Sequence, residues 1–113
     1  MTINNVTALV TGAAQGMGRQ VVNALLDAGA AKIFALDIQE AEYDDPRVVP
    51  VVLNVTDEEA IADVIASSEN AIQVVVNCAG ISQARDGFLI DKADWDLSFA
   101  INLTGPYLIM REA

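Results

Sequence analysis

The chain has 113 residues, 53% of them hydrophobic and 19% charged; that suits one small domain with its own core and excludes a disordered chain. Sixteen acids against six bases give a formal net charge of −10, which would repel nucleic acid and anionic membrane surfaces. One cysteine, Cys78, and no histidine exclude an internal disulfide, a Cys/His metal site and a His-based triad, so no metal is expected. No apolar run nears the roughly 20 residues of a membrane span. The first five residues lack the basic start and apolar stretch of a signal peptide, so a cytoplasmic location is expected. Ten acids between Asp37 and Glu69 face only Arg47, the pattern of a solvated acidic face.

Two hydrophobic periods alternate along the chain. Val6–Val10 reads as a buried strand. A glycine-rich turn, Gly12 to Gly18, leads into a helix with Met17, Val21, Val22, Leu25 and Leu26 on one face, ended by Gly29. Ile33–Leu36 is a second buried strand closed by Asp37. A polar loop to Arg47 follows, with Asp44-Asp45-Pro46 as its turn signal. Val48–Val55 is a third strand; Pro50 lacks a backbone donor, which puts it at a sheet edge. Thr56-Asp57-Glu58-Glu59 has the spacing of a capping box with Thr56 at the N-cap, and Ile61, Val64 and Ile65 form the apolar face of a short helix. Ile72–Val76 is a fourth strand, followed by Asn77-Cys78-Ala79-Gly80. Residues 81–90 read as loop. Asp91 or Asp94 caps a last helix carrying Trp95, Phe99 and Asn102, which Gly105-Pro106 should kink or restart. Trp95 and Phe99 are expected in the core or an interface. Asp91, Asp94 and Asp96 read as helix-start acids. The order β-α-β-β-α-β-α predicts parallel strands joined by right-handed crossovers, in the order 3-2-1-4.

Chemistry concentrates at Thr11-Gly12-Ala13-Ala14-Gln15-Gly16-Met17-Gly18, between a buried strand and an amphipathic helix. Glycines there let the backbone turn tightly and approach a pyrophosphate, while the helix N-terminus offers N–H groups and partial positive charge. Asp37 falls 19 residues after Gly18, at the end of the next strand. A carboxylate there can accept hydrogen bonds from an adenosine ribose and would repel a 2′-phosphate, which favours NAD over NADP.

Taken together, these residues resemble the short-chain dehydrogenase/reductase family. Its Thr-Gly-x-x-x-Gly-x-Gly turn matches Thr11 to Gly18, and its Asn-x-Ala-Gly motif matches Asn77 to Gly80. Its Asp-Val pair after the third strand stands here as Asn54-Val55, and its helix asparagine matches Asn102. Arg85-Asp86 and Trp95 are similar to the oxoacyl-reductase and sugar-alcohol dehydrogenase branches. The resemblance covers the whole chain and implies one α/β domain over residues 1–113, a partial Rossmann (doubly wound) unit of four parallel strands. It implies that Gly12, Gln15, Gly16, Met17 and Gly18 line the pyrophosphate and its neighbouring ribose. Asp37 and Ile38 would meet the adenosine ribose. Asn54 and Val55 would flank the adenine, with the Asn54 carbonyl accepting from its amino group. Cys78, Ala79 and Gly80 would pass the nicotinamide-side ribose.

The family's catalytic set adds a serine and a Tyr-x-x-x-Lys to the helix asparagine. Tyr43 and Tyr107 are the only tyrosines, and neither is followed by lysine four residues on. The resemblance therefore implies the amino-terminal, NAD(H)-binding half of an oxidoreductase, truncated and inactive alone, with Asn102 its one member of the catalytic set. The expected partners are the dinucleotide and either a second copy of the chain or a complementing catalytic half. A non-catalytic dinucleotide-binding module and a self-associating scaffold are the alternatives.

Overall fold

The computed structural model describes residues 2–80 and 91–113; the expected loop at 81–90, with Arg85 and Asp86, lies outside them. Short runs of β-branched and small apolar residues form β1 (Thr7–Thr11), β2 (Lys32–Asp37), β3 (Val48–Val52) and β4 (Val74–Asn77). All four are parallel, in the order β3-β2-β1-β4. Leu9 of β1 stands opposite Phe34 of β2 on one side and Val75 of β4 on the other. Pro50 lies in β3 at the sheet edge, opposite Ala35, where its missing N–H costs no ladder bond on the open side.

Successive strand residues face opposite sides of a sheet, and the core divides accordingly. Ala8, Val10, Ile33 and Ala35 face α1 (Gly16–Asp27), which contributes Val22 and Leu25. Leu9, Phe34 and Leu36 face the other way, toward Ile61 of α2 (Glu58–Ala66). The chain then forms α3 (Lys92–Phe99), a π-helical turn (Ala100–Thr104) and α4 (Gly105–Glu112). Leu108 and Ile109 of α4 complete the second core.

Among the boundaries that differ from those expected, three have a local reason. β3 stops at Val52 because β2 ends at Asp37, whose carbonyl accepts the Leu53 N–H at 2.8 Å as the last link. β4 starts at Val74, since the Gln73 side chain takes the Thr7 N–H at 3.2 Å. The N-cap of α2 is Asp57, which accepts from Ala60 N–H; the Thr56 hydroxyl is turned instead to Asn54. Asp91 caps α3, accepting from Asp94 N–H. α4 restarts at Gly105-Pro106. Proline removes the donor that would bond the Asn102 carbonyl in a continuous α-helix, which accounts for the wide turn just before it. Trp95 and Phe99 stack on each other at 4.9 Å and stay about half exposed, outside both cores.

Candidate functional site

β1 ends where its neighbours lead away in opposite directions, and open α/β sheets form a crevice there, beyond the carboxyl ends of the strands. Thr11 is buried at that end. Its hydroxyl oxygen accepts the N–H groups of Cys78 (3.1 Å) and Ala79 (3.0 Å), joining the turn after β1 to the segment after β4. Gly12 follows with φ +66°, and a Cβ there would come within 2.8 Å of the Cys78 carbonyl and the Ala79 nitrogen. Only glycine allows that approach. A Cβ at Gly18 would fall 2.0 Å from the Gly12 oxygen, so the third glycine lets α1 sit directly against the turn. Gln15 is the N-cap of α1 and makes no side-chain cap bond, and the first turn holds no acid. The first N–H groups of the helix, which have no intrahelical acceptor, therefore remain available to an anion.

The second anchor is Asp37. Its carboxylate accepts the Ala14 N–H (2.9 Å) and the Gln39 N–H (3.0 Å). The neighbouring backbone is held with equal care. Ala13 N–H donates to the Leu36 carbonyl, and the Tyr43 hydroxyl donates to the Ala13 carbonyl. Arg19 donates to the carbonyls of Ala14 (3.4 Å) and Glu42 (2.7 Å), with its guanidinium 4.4 Å from the Tyr43 ring centre. Burial raises the Tyr43 pKa, Arg19 opposes the rise, and Asp37 adds to it; the phenol stays neutral and able to donate. The loop after β2 is thereby clamped onto the glycine-rich turn.

Beyond Asp37 the wall continues through Leu53 to Asn54. The Asn54 side-chain oxygen accepts the Thr56 N–H (2.9 Å) and the Thr56 hydroxyl (2.7 Å). The oxygen expected to accept from an adenine amino group is thus already engaged by Thr56.

These segments enclose a cavity of about 310 Å³. Its wall brings together nine of the expected residues: Gly12 and Gln15 from the turn, Asp37 at the end of β2 and Ile38 just after it, Asn54 and Val55 after β3, and Cys78, Ala79 and Gly80 after β4. Gly16, Met17 and Gly18 lie in the first turn of α1 outside that wall, with Met17 77% exposed. Asn102 stands beside it: a Cβ on Gly80 would come 3.1 Å from the Asn102 side-chain oxygen. Leu36, Gln39, Leu53 and Ile101 also line the cavity and were not expected. Their signal is adjacency, since each is next to an expected residue. Arg19 and Tyr43 were missed too; Arg19 directly follows Gly18, whereas nothing local marks Tyr43.

Chemically the cavity offers a fixed carboxylate and apolar walls, with the open N-terminus of α1 beside it. Burial pushes the Cys78 thiol up, away from a nucleophilic thiolate. Tyr43 is committed to Ala13, and Tyr107 lies beneath Arg111 on α4; neither lines the cavity. Among the described residues no cluster could hold a metal ion, and no helix is long and apolar enough to cross a membrane.

Comparison with known proteins agrees with this geometry. The 3-oxoacyl-[acyl-carrier-protein] reductase of Thermotoga maritima is 35% identical over 95% of this chain and 48% of its own length. The galactitol 2-dehydrogenase (L-tagatose-forming) of Cereibacter sphaeroides is 31% identical, over 96% of this chain and 46% of its own. A short chain dehydrogenase from Burkholderia cenocepacia, solved in complex with NADP, superposes with a TM-score of 0.90 at 30% identity, covering 99% of this chain and 48% of that one. The chain thus spans about half the length of these relatives. The family model described as short chain dehydrogenase matches residues 6–113, and the chain belongs to that family.

Proposed function

We propose that the chain is the cofactor-binding part of an NAD(H)-dependent oxidoreductase that moves hydride between nicotinamide and an alcohol/carbonyl pair. The observation that carries this reading is the Asp37 carboxylate, fixed by two N–H groups on a cavity wall shared with Gly12 and Gln15. A carboxylate so placed accepts from the two hydroxyls of a ribose and repels a 2′-phosphate. Dinucleotide binding as such is supported by the Burkholderia relative; the preference for NAD rests on Asp37, since that relative holds NADP.

In this reading Gly12, Gln15, Gly16, Met17 and Gly18 hold the pyrophosphate, Asp37 and Ile38 the adenosine ribose, and Asn54 and Val55 flank the base. Cys78, Ala79 and Gly80 run along the second ribose, with Asn102 adjacent. When bound, the nicotinamide ring supplies the hydride donor or acceptor. The chain's own residues bind and orient, and among the described residues that line the cavity there is no tyrosine, lysine or histidine to hand over a proton. Turnover would need the Tyr-x-x-x-Lys that this sequence lacks. We infer that the side of β4 that pairs with no strand among the described residues takes a strand from a second copy or from a catalytic complement, of which only the complement could bring the tyrosine and lysine.

Calorimetric titration of NAD and NADP tests the reading. NAD should bind more tightly, and Asp37→Ala should weaken it by about 2 kcal/mol, roughly thirtyfold, the usual worth of hydrogen bonds to a charged group. Equal binding of the two, unchanged in Asp37→Ala, would remove Asp37 from the site.

A further inference from the structure

A carboxylate and a carboxamide at position 54 present opposite chemistry to a base. The backbone N–H of Thr56 can only donate, so its bond to Asn54 settles which end of the amide is oxygen. The Thr56 hydroxyl donates to the same atom, and both lone pairs of that oxygen are then in use. What remains is the Nδ2 amino group, with two donors and no acceptor. Asn54 shares the cavity wall with Leu53 and Val55, and the Leu53 N–H is bonded to the Asp37 carbonyl. Asp37, Ile38, Leu53, Asn54 and Val55 line the same cavity, so a ribose held by Asp37 in the dinucleotide reading leaves this wall for its base.

We propose that Asn54 reads the base by donating, and that the site accepts hypoxanthine at least as well as adenine; this rests on the dinucleotide reading above. Adenine carries an amino group at its 6-position, which the Asn54 Nδ2 donors cannot accept. Hypoxanthine carries an oxygen at the same place, and that oxygen accepts from Nδ2. An aspartate in the same turn would keep one oxygen on Thr56 and offer the other to the adenine amino group. The single atom that differs between Asn and Asp therefore sets the base preference, because a polar group left unpaired in a site discriminates strongly.

The test is calorimetric titration of NAD and of nicotinamide hypoxanthine dinucleotide into the 113-residue chain and its Asn54→Asp variant. The wild-type chain should bind the hypoxanthine dinucleotide as tightly as NAD or more tightly, and Asn54→Asp should shift the ratio about tenfold toward NAD. A wild-type preference for NAD of about tenfold or more, or a ratio unchanged in Asn54→Asp, overturns the base assignment and leaves the dinucleotide reading standing. Failure of the wild-type chain to bind either compound overturns both. Should Asn54→Asp not fold, the wild-type ratio decides, together with the side-chain amide resonances of Asn54. These should shift with the hypoxanthine dinucleotide, and their staying in place would contradict the proposal.

Discussion

Arg47 donates to both carboxylate oxygens of Asp45, at 3.0 and 2.7 Å, and to the carbonyls of Leu26 and Ala30. One side chain thus ties the end of the loop after β2 to the end of α1. The side-chain and backbone hydrogen bonds from Arg47 lower the Asp45 pKa from 3.8 to about 2. A carboxylate whose pKa falls on folding stabilises the fold above its unfolded value, and that contribution disappears as the pH drops through the folded one. Its window therefore runs from 3.8 down to about 2, and the exposure of the pair keeps the effect small. An NMR titration of the Asp45 carboxyl carbon should show a midpoint near 2, rising only part of the way back toward 3.8 in Arg47→Met, which keeps the backbone N–H bond. An ordinary midpoint in the wild-type chain would rule the pairing out. The place of Asp37 on the cavity wall was legible in the sequence, because it ends the strand beside β1. Tyr43 was not, because its partner Ala13 lies 30 residues away and only the folded loop joins them. The orientation of the Asn54 amide was equally hidden; its composition allows either end to face a ligand, and Thr56 decides.

Helix and strand identities followed from hydrophobic period, since that period decides which face is buried. Their ends did not, because contacts with other strands closed them: the Gln73 side chain on Thr7 before β4, and the Asp37 carbonyl on the Leu53 N–H after β3. The placement of α4 turns on Gly105, where a Cβ would press to 2.6 Å from a Val55 methyl. That contact seats the helix against the cavity wall, and the preceding π-helical turn brings Ile101 into it. Pro106 marked the break in the sequence, but not the contact with Val55. β4 pairs only with β1 among the described residues, and Val74, Val75 and Val76 are half-buried and uncharged. An apolar edge of this kind recruits another strand. Sedimentation velocity of the 113-residue chain should show association that grows with concentration, whereas a folded monomer at every concentration would contradict a role for this edge.

At the scale of the molecule, the strand order β3-β2-β1-β4 makes the site. It places the ends of β1, β2, β3 and β4 around one cavity, so that residues from Gly12 to Gly80 share a wall. The same order separates the cores, α1 on one face and α2 with α4 on the other, and leaves the crevice between them. This much was legible because motifs at strand ends must converge once the order is set. The cavity's remaining lining was not, since Leu36, Leu53 and Ile101 read as ordinary core residues. The most direct test is to titrate NAD into isotopically labelled chain and follow the backbone amides by NMR. The account predicts that the amides of Gly12, Gln15, Ile38, Val55 and Ala79 move together at one affinity, while those of α3 stay still. Changes absent from these positions, or centred on α3 and α4, would contradict it.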